Sequence, residues 1–339
     1  MADDMTEPLA ETGDVPIVKL SYQAFEESAA KKPFSFDPWV KAMKVLAVAG
    51  IVLAYPLLTV TSHDIIDAPV DLSEGRHWSA PEAGVAATLI TRELNGPGWA
   101  ADRHRWHPQS RLIALPAWQA GLVAALADHG RLTLSLFEGQ RDQDLATAVR
   151  LLGRSDDGAT EPRLGAAREA LTRYDGRVAA GLAGRPQGLG ALAAELQLAS
   201  GWADASRSEL TALASPGDGW IASQEAVSAV YRAKARAHVA HELLKARLAA
   251  NPTPFPSENA ENLAEDAVLK WKRAAQIHPL FVSNQGGDGT LGANHPAMLA
   301  FLLTEATKSS TRAAAALAAE PGAQTQDTTE SQAGSDATN

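Results

Sequence analysis

The sequence predicts an all-α protein, with an N-terminal transmembrane helix followed by an elongated helical bundle. Three observations predict it. Val45–Thr61 is an unbroken apolar run, alanine-rich stretches with leucines three and four residues apart recur from residue 81 to residue 319, and few windows alternate with period two.

Residues 1–38 open with Asp3, Asp4, Glu7, Glu11 and Asp14 and show no sustained period, so they read as a disordered cytoplasmic tail. Within them Ile17, Val18, Leu20, Tyr22 and Phe25 form a small apolar island suited to a partner. The run VLAVAGIVLAYPLLTVT follows. Its 17 residues cover about 25 Å as helix, somewhat short of a hydrocarbon core of about 30 Å. Trp39, Lys41 and Lys44 extend it, because lysine stems snorkel to headgroups and tryptophan suits the interface, so the expected span is 39–62. Gly50 and Pro56 fit a membrane helix better than a soluble one, and Pro56 is expected to kink it. The run starts too far into the chain for a signal peptide, and Thr59–Ser62 matches no A-x-A cleavage site. Lys31, Lys32, Lys41 and Lys44 precede the run while Asp64, Asp67, Asp71 and Glu74 follow it. The basic flank puts the N-terminus in the cytoplasm and residues 63–319 in the periplasm of a Gram-negative cell.

Helices are expected at about 81–95, 115–129, 142–153, 163–183, 188–214, 219–250, 257–276 and 295–319. Leu132–Leu136 alternates, but its helical surroundings and the lack of a partner strand favour helix. Asp218-Gly219 should precede one helix and Asn251-Pro252 follow it. Pro256-Ser257, with Glu261 downstream, introduces the next. So much alanine leaves few large side chains, and Trp99, Trp106, Trp118, Trp202, Trp220 and Trp271 are expected to supply much of the core. Residues 320–339, rich in Gln, Thr, Ser, Gly and Asp, read as a second disordered tail.

Composition excludes several functions. The 339 residues contain no cysteine, which removes thiolate catalysis, thiolate metal sites and disulfide bracing. A net charge of −10 argues against nucleic acid as a partner. Gly287-Asp288-Gly289-Thr290-Leu291-Gly292 matches G-x-G-x-x-G, yet no βαβ context surrounds it, so no cofactor is expected. His238 and His241 stand on adjacent helical turns but match no zinc-enzyme pattern, and read as partly exposed helix histidines. His104 and His107 sit in a loop-like stretch, and no metal site is expected at either pair. The S-x-x-K match at Ser28 and Lys31 lies before the membrane, and no G-x-S-x-G elbow occurs.

One segment differs in texture. Phe281–Met298 reads FVSNQGGDGTLGANHPAM, a glycine-rich loop in which Asn294 is placed to cap the helix that Pro296 opens. The same loop can present Asp288, Asn294 and His295 for recognition beside a helix N-terminus.

GTLGANHPAMLAFLLTEA, the upstream AVYRAKARAHVAHELLKA and the early block GPGWAADRHRWHPQSRLIALPAWQAGLVAAL together resemble the DUF2333 family of proteobacterial single-pass membrane proteins. The resemblance covers roughly residues 40–320. It matches Asn294 and His295 to the family's Asn-His pair, places Tyr231 and Arg232 in its Tyr-x-Ala/Arg element, and sets Trp99, Trp118 and Gln119 in its tryptophan/proline-rich block. Pro296 departs from the family's usual serine, and the tryptophan block is less regular. The resemblance implies topology and fold but no activity. Two functions follow as expectations. One is a membrane-anchored scaffold or adaptor that touches the lipid bilayer and gathers envelope proteins. The other is a periplasmic enzyme or ligand-binding domain acting on an envelope component, with Asp288, Asn294, His295, Arg232 and Tyr231 as candidate contacts.

Overall fold

A computed structural model of the chain describes residues 38–61, 65–73, 76–104, 106–137, 141–154, 159–214, 222–279, 282–284 and 294–319, with backbone alone at 38 and 51–61. The described residues are all-helical: α1 (Pro38–Thr61), α2 (Pro81–Asn95), α3 (Ala114–Ser135), α4 (Gln143–Leu152), α5 (Thr160–Ala179), α6 (Gly188–Leu213), α7 (Gln224–Ala249), α8 (Glu258–Ala275) and α9 (His295–Ala318). Each expected helix is present, and Leu132–Ser135 is the last turn of α3.

The chain divides into two units, Met1–Ala54 and Tyr55–Asn339. In the first, Trp39, Met43, Val45, Leu46 and Val48 of α1 are each more than half exposed. Among the described residues no helix is long and apolar enough to cross a membrane. The span expected at 39–62 runs into positions whose side chains lie outside the described residues, as do both expected tails apart from Pro38.

In the second unit α7 is the central column and packs against α2, α3, α6, α8 and α9. Its sequence permits this. Ala226, Ala229, Ala233, Ala235, Ala237 and Ala240 are all buried, so neighbours approach from several sides. A helix buried all round is normally apolar. This one also buries Lys234, His238, His241, Glu242 and Arg247, each of which needs a partner inside the protein. Around it α6 pairs with α9, α8 with α9, α4 with α5, and α2 with α5.

The closest approach is between α3 and α7. A Cβ on Gly121 would stand 2.7 Å from the backbone oxygen of Arg232 and 2.9 Å from its Cα, too close for either helix to stay in place. Gly121→Ala is therefore expected to destabilise the fold by about 1–3 kcal/mol, measured as a lower denaturant midpoint at an unchanged slope.

Helix ends follow local chemistry. Ser223 caps α7 and Ser257 caps α8 through bonds from the amides of Ala226 and Ala260, while the expected Asp218-Gly219 start lies outside the described residues. The period suggested that α5 continues to 183, yet it stops at Ala179. Gly181 takes φ 70°, its N–H reaches the Val178 carbonyl and that of Leu182 reaches Arg177, which together form a Schellman stop.

The tryptophans divide. Trp118 and Trp271 are fully buried and donate their indole N–H groups to Glu93 and to Ser310 at 2.8 and 2.9 Å; Trp99 and Trp202 are buried too. Trp106 corrects the expectation: it sits in a short turn between two 3₁₀ segments, Ala100–Asp102 and Pro108–Arg111, with its ring exposed. Trp220 lies outside the described residues.

Candidate functional site

The glycine-loop residues occupy a structural junction. The Asn294 side chain accepts from the Ala297 amide at 3.0 Å, closing the first turn of α9, and donates to the carbonyls of Ala214 at 3.2 Å and Asn284 at 3.3 Å. His295 is buried. Nδ1 of its ring accepts from the Ser283 amide at 3.1 Å while its own backbone N–H donates to the Ser283 carbonyl at 3.0 Å, so a neutral ring carries its proton on Nε2. Burial holds its pKa below the usual histidine value. Both side chains thus pin 282–284 to the end of α6 and the start of α9. Asp288 lies outside the described residues.

Arg232 and Tyr231 go elsewhere. Arg232 pairs with Glu209 in a groove of about 870 Å³ between α3, α6 and α7, whereas Tyr231 is buried, and desolvation followed by the Asp67 carboxylate raises its phenol pKa. Arg232 is not bonded to Asn294 or His295 among the described residues, so these candidate contacts do not form one site there. Removing the cap should read out as stability. Asn294→Ala is expected to cost about 1–2 kcal/mol in a thermal or denaturant melt, with the secondary structure by circular dichroism retained.

A different cluster forms at the middle of α7. Positions 234, 238, 241, 242 and 245 share one side of a helix. Segment 65–73, which leads into the bundle, lies across them. Asp67 meets Lys234 Nζ at 2.6 Å and His278 Nδ1 at 3.3 Å. The Val70 amide donates to Glu242 Oε2 at 3.1 Å, Lys245 Nζ to the Val70 carbonyl at 3.4 Å, and Arg92 to the carbonyls of Ala68 and Pro69. The Lys234 ammonium lies 5.8 Å from the Trp118 ring centre, and that ring is 5.5 Å from the His238 imidazole. The segment therefore closes one side of a cavity of about 220 Å³, with His238, His241 and Glu242 on its floor and Lys272, Gln276 and His278 on the far wall.

Burial sets the protonation states. It pushes the His238 and His241 imidazoles down to about 4, with Arg92 and Lys234 adding to the effect at His238 and Lys245 and Lys272 at His241. Burial also lowers the Lys234 ammonium, against the opposing pull of Asp67, and raises the Glu242 carboxyl. His241 Nδ1 lies 3.2 Å from the Val268 carbonyl, which can only accept, so Nε2 carries a lone pair; it stands 3.8 Å from Glu242 Oε1. Three buried atoms there lack a hydrogen-bond partner, Asp67 Oδ2, His238 Nε2 and Glu242 Oε1; the first is met by the Lys234 ammonium as an ion pair, the other two are not met by any such charge at contact distance. These neutral imidazoles beside a carboxyl of raised pKa can hydrogen-bond a ligand and can pass a proton. Among the described residues no three His, Cys, Asp or Glu side chains are arranged to hold a metal ion.

The His238/His241 spacing was visible in the sequence, but the expectation of partly exposed histidines is corrected: His238 is 2 % exposed and His241 7 %. The side of α7 that carries them faces α3, α8 and segment 65–73, while its open side, at Glu225, Ser228 and Arg232, faces the groove. Asp67, Lys234 and His278 carried no signal, because segment 65–73 reaches α7 from about 170 residues away in sequence.

A second buried polar cluster offers a contrast. Toward the end of α7, Arg247 donates to Glu195 Oε1 through Nε at 3.1 Å and Nη2 at 2.7 Å, pairs with Glu82 at 3.0 Å, and donates to the Pro186 carbonyl; His129 Nε2 adds a bond to the same Glu195 oxygen at 2.9 Å. Burial alone would raise the Glu195 carboxyl, and the His129 and Arg247 contacts overcome it and hold the pKa low. The Arg247 charge is thus spent on internal partners, and the adjoining space of about 30 Å³ holds little more than one water. No family model matches the chain, and no curated protein or solved structure is detectably similar to it, so its function is argued from this geometry.

Proposed function

We propose that the chain is a membrane-anchored helical scaffold or adaptor of the bacterial cell envelope, with its N-terminus in the cytoplasm, α1 in the inner membrane and α2–α9 in the periplasm. The observation that carries this reading is the exposed apolar flank of α1, from Trp39 to Val48, continuing in sequence into IVLAYPLLTVT behind a lysine-rich approach. At 24 residues α1 measures about 36 Å, enough for a hydrocarbon core of about 30 Å. The resemblance to DUF2333 proteins supports the same topology. Because Asn294 and His295 are engaged in holding α9, recognition of envelope proteins falls to the outer helical faces.

The absence of cysteine makes the test clean. Ser208→Cys, on the exposed side of α6, should react with an impermeant maleimide once the outer membrane is permeabilised, and Thr6→Cys only after the inner membrane is broken. The reverse pattern, or recovery of the chain in the soluble fraction, would overturn the topology. Crosslinked capture from native membranes tests the adaptor role; no stable envelope partner would sink it.

A second reading, a periplasmic ligand-binding or catalytic domain acting on an envelope component, is favoured by one observation. The cavity under segment 65–73 contains buried polar atoms that no protein group satisfies.

A further inference from the structure

We infer that the cavity bounded by Asp67, His238, His241, Glu242, Lys272 and His278 is a binding site for a small neutral hydroxylated molecule, a monosaccharide or polyol. The inference rests on the ligand-binding reading and is independent of the membrane anchor.

The first argument is unmet hydrogen-bonding capacity. Leaving a buried polar atom unpaired costs about 1–3 kcal/mol, and native proteins rarely tolerate it without a reason. Apart from Asp67 Oδ2, which the Lys234 ammonium meets, two such atoms, His238 Nε2 and Glu242 Oε1, belong to side chains lining one cavity, next to the lone pair of His241 Nε2. Glu242 Oε1 and His241 Nε2 are 3.8 Å apart and both accept, so an occupant has to donate to them. Hydroxyl groups do so. The far wall supplies the complementary donors, Lys272 and His278, for hydroxyl oxygens.

Charge selects among donor-bearing ligands. Lys234, Lys245, Lys272 and Arg92 all surround the floor and help keep its imidazoles uncharged. An ammonium ligand would meet the same repulsion from four cations, which the Asp67 carboxylate offsets only in part because it is already paired with Lys234. Asp67 and Glu242 oppose an anion. A neutral molecule with several hydroxyls meets neither penalty, and a site built on hydrogen bonds to hydroxyls discriminates strongly against analogues lacking them. Size agrees: a cavity of about 220 Å³ has room for a single sugar ring.

The test uses the full chain in a sugar-free detergent, titrated calorimetrically with N-acetylglucosamine, glycerol, ethanolamine and acetate. Saturable binding of N-acetylglucosamine or glycerol, without ethanolamine or acetate, is expected. Glu242→Gln keeps an oxygen for the Val70 amide but turns the other carboxylate position into a donor, and should weaken the sugar at least tenfold. If that variant does not fold, the wild-type chain decides alone, since the Hε1 resonances of His238 and His241 should move on titration with the neutral probe. Saturable binding of ethanolamine or acetate instead overturns the ligand class while leaving a ligand-binding domain. Sugar binding that moves neither histidine resonance overturns the site. No saturable binding by any probe overturns this inference and the ligand-binding reading together, and leaves the adaptor reading standing.

Discussion

Arg247→Met should destabilise the bundle by about 3–5 kcal/mol, enough to unfold a protein of ordinary stability. The loss comes less from the contacts removed than from the charges left behind. Glu195 and Glu82, both buried, would face the interior with His129 beside the first and Arg185 3.8 Å from the second. Neutralising the stranded partners should therefore rescue the variant. Arg247→Met combined with Glu195→Gln and Glu82→Gln is expected to recover a large part of the loss in urea denaturation, because a buried ion cluster replaced as a unit is often close to neutral. A triple variant no more stable than the single one would show that Arg247 acts through its hydrogen bond to Pro186 and its packing.

Acid should unfold the chain earlier than its surface carboxylates alone require. His238 and His241 titrate near 6.5 in the unfolded chain and at about 4 in the folded one, so the unfolded state binds more protons between those values. Their neutral burial contributes stability that is fully present above pH 6.5 and is lost as pH falls toward 4. At about 1.4 kcal/mol per pH unit, each histidine accounts for about 3 kcal/mol. Glu242 acts with the opposite sign: its pKa is raised on folding, so its contribution is present below its usual value and is lost as pH rises through the folded value. It offsets part of the histidine effect at the acid end. Denaturation midpoints measured from pH 7.5 down to 4.5 should fall steadily, and His238→Gln with His241→Gln should flatten the curve. A wild-type midpoint independent of pH over that range would refute the account.

How much the sequence disclosed varies by residue. The helices were readable because alanine and leucine repeat at the helical period, and Ser257 and Asn294 carry their capping chemistry in their own identity, whereas the stop at Gly181 was passed over and α5 was expected to run on to 183. Asn294 was read correctly as a cap because an N-cap depends on the next three residues alone. The cavity was not readable, because it needs Asp67, His238 and His278 brought together by tertiary packing that no local pattern encodes. Trp106 misled for a related reason. A tryptophan is usually buried, and only the turn between two short 3₁₀ segments, with His107 capping the second, turns it outward.

The central position of α7 also fixes an order of events during synthesis. Its neighbours come from both ends of the bundle: α2 is made long before it and α9 well after it. Until the ribosome has released α9, the faces of α6, α7 and α8 that α9 covers have no partner, and α6 must hold its side of that contact open for about 80 residues of further chain. Nascent chains stalled before residue 295 therefore display an alanine- and leucine-rich surface that the finished protein never shows, and they are the species on which holding chaperones and quality-control proteases would act.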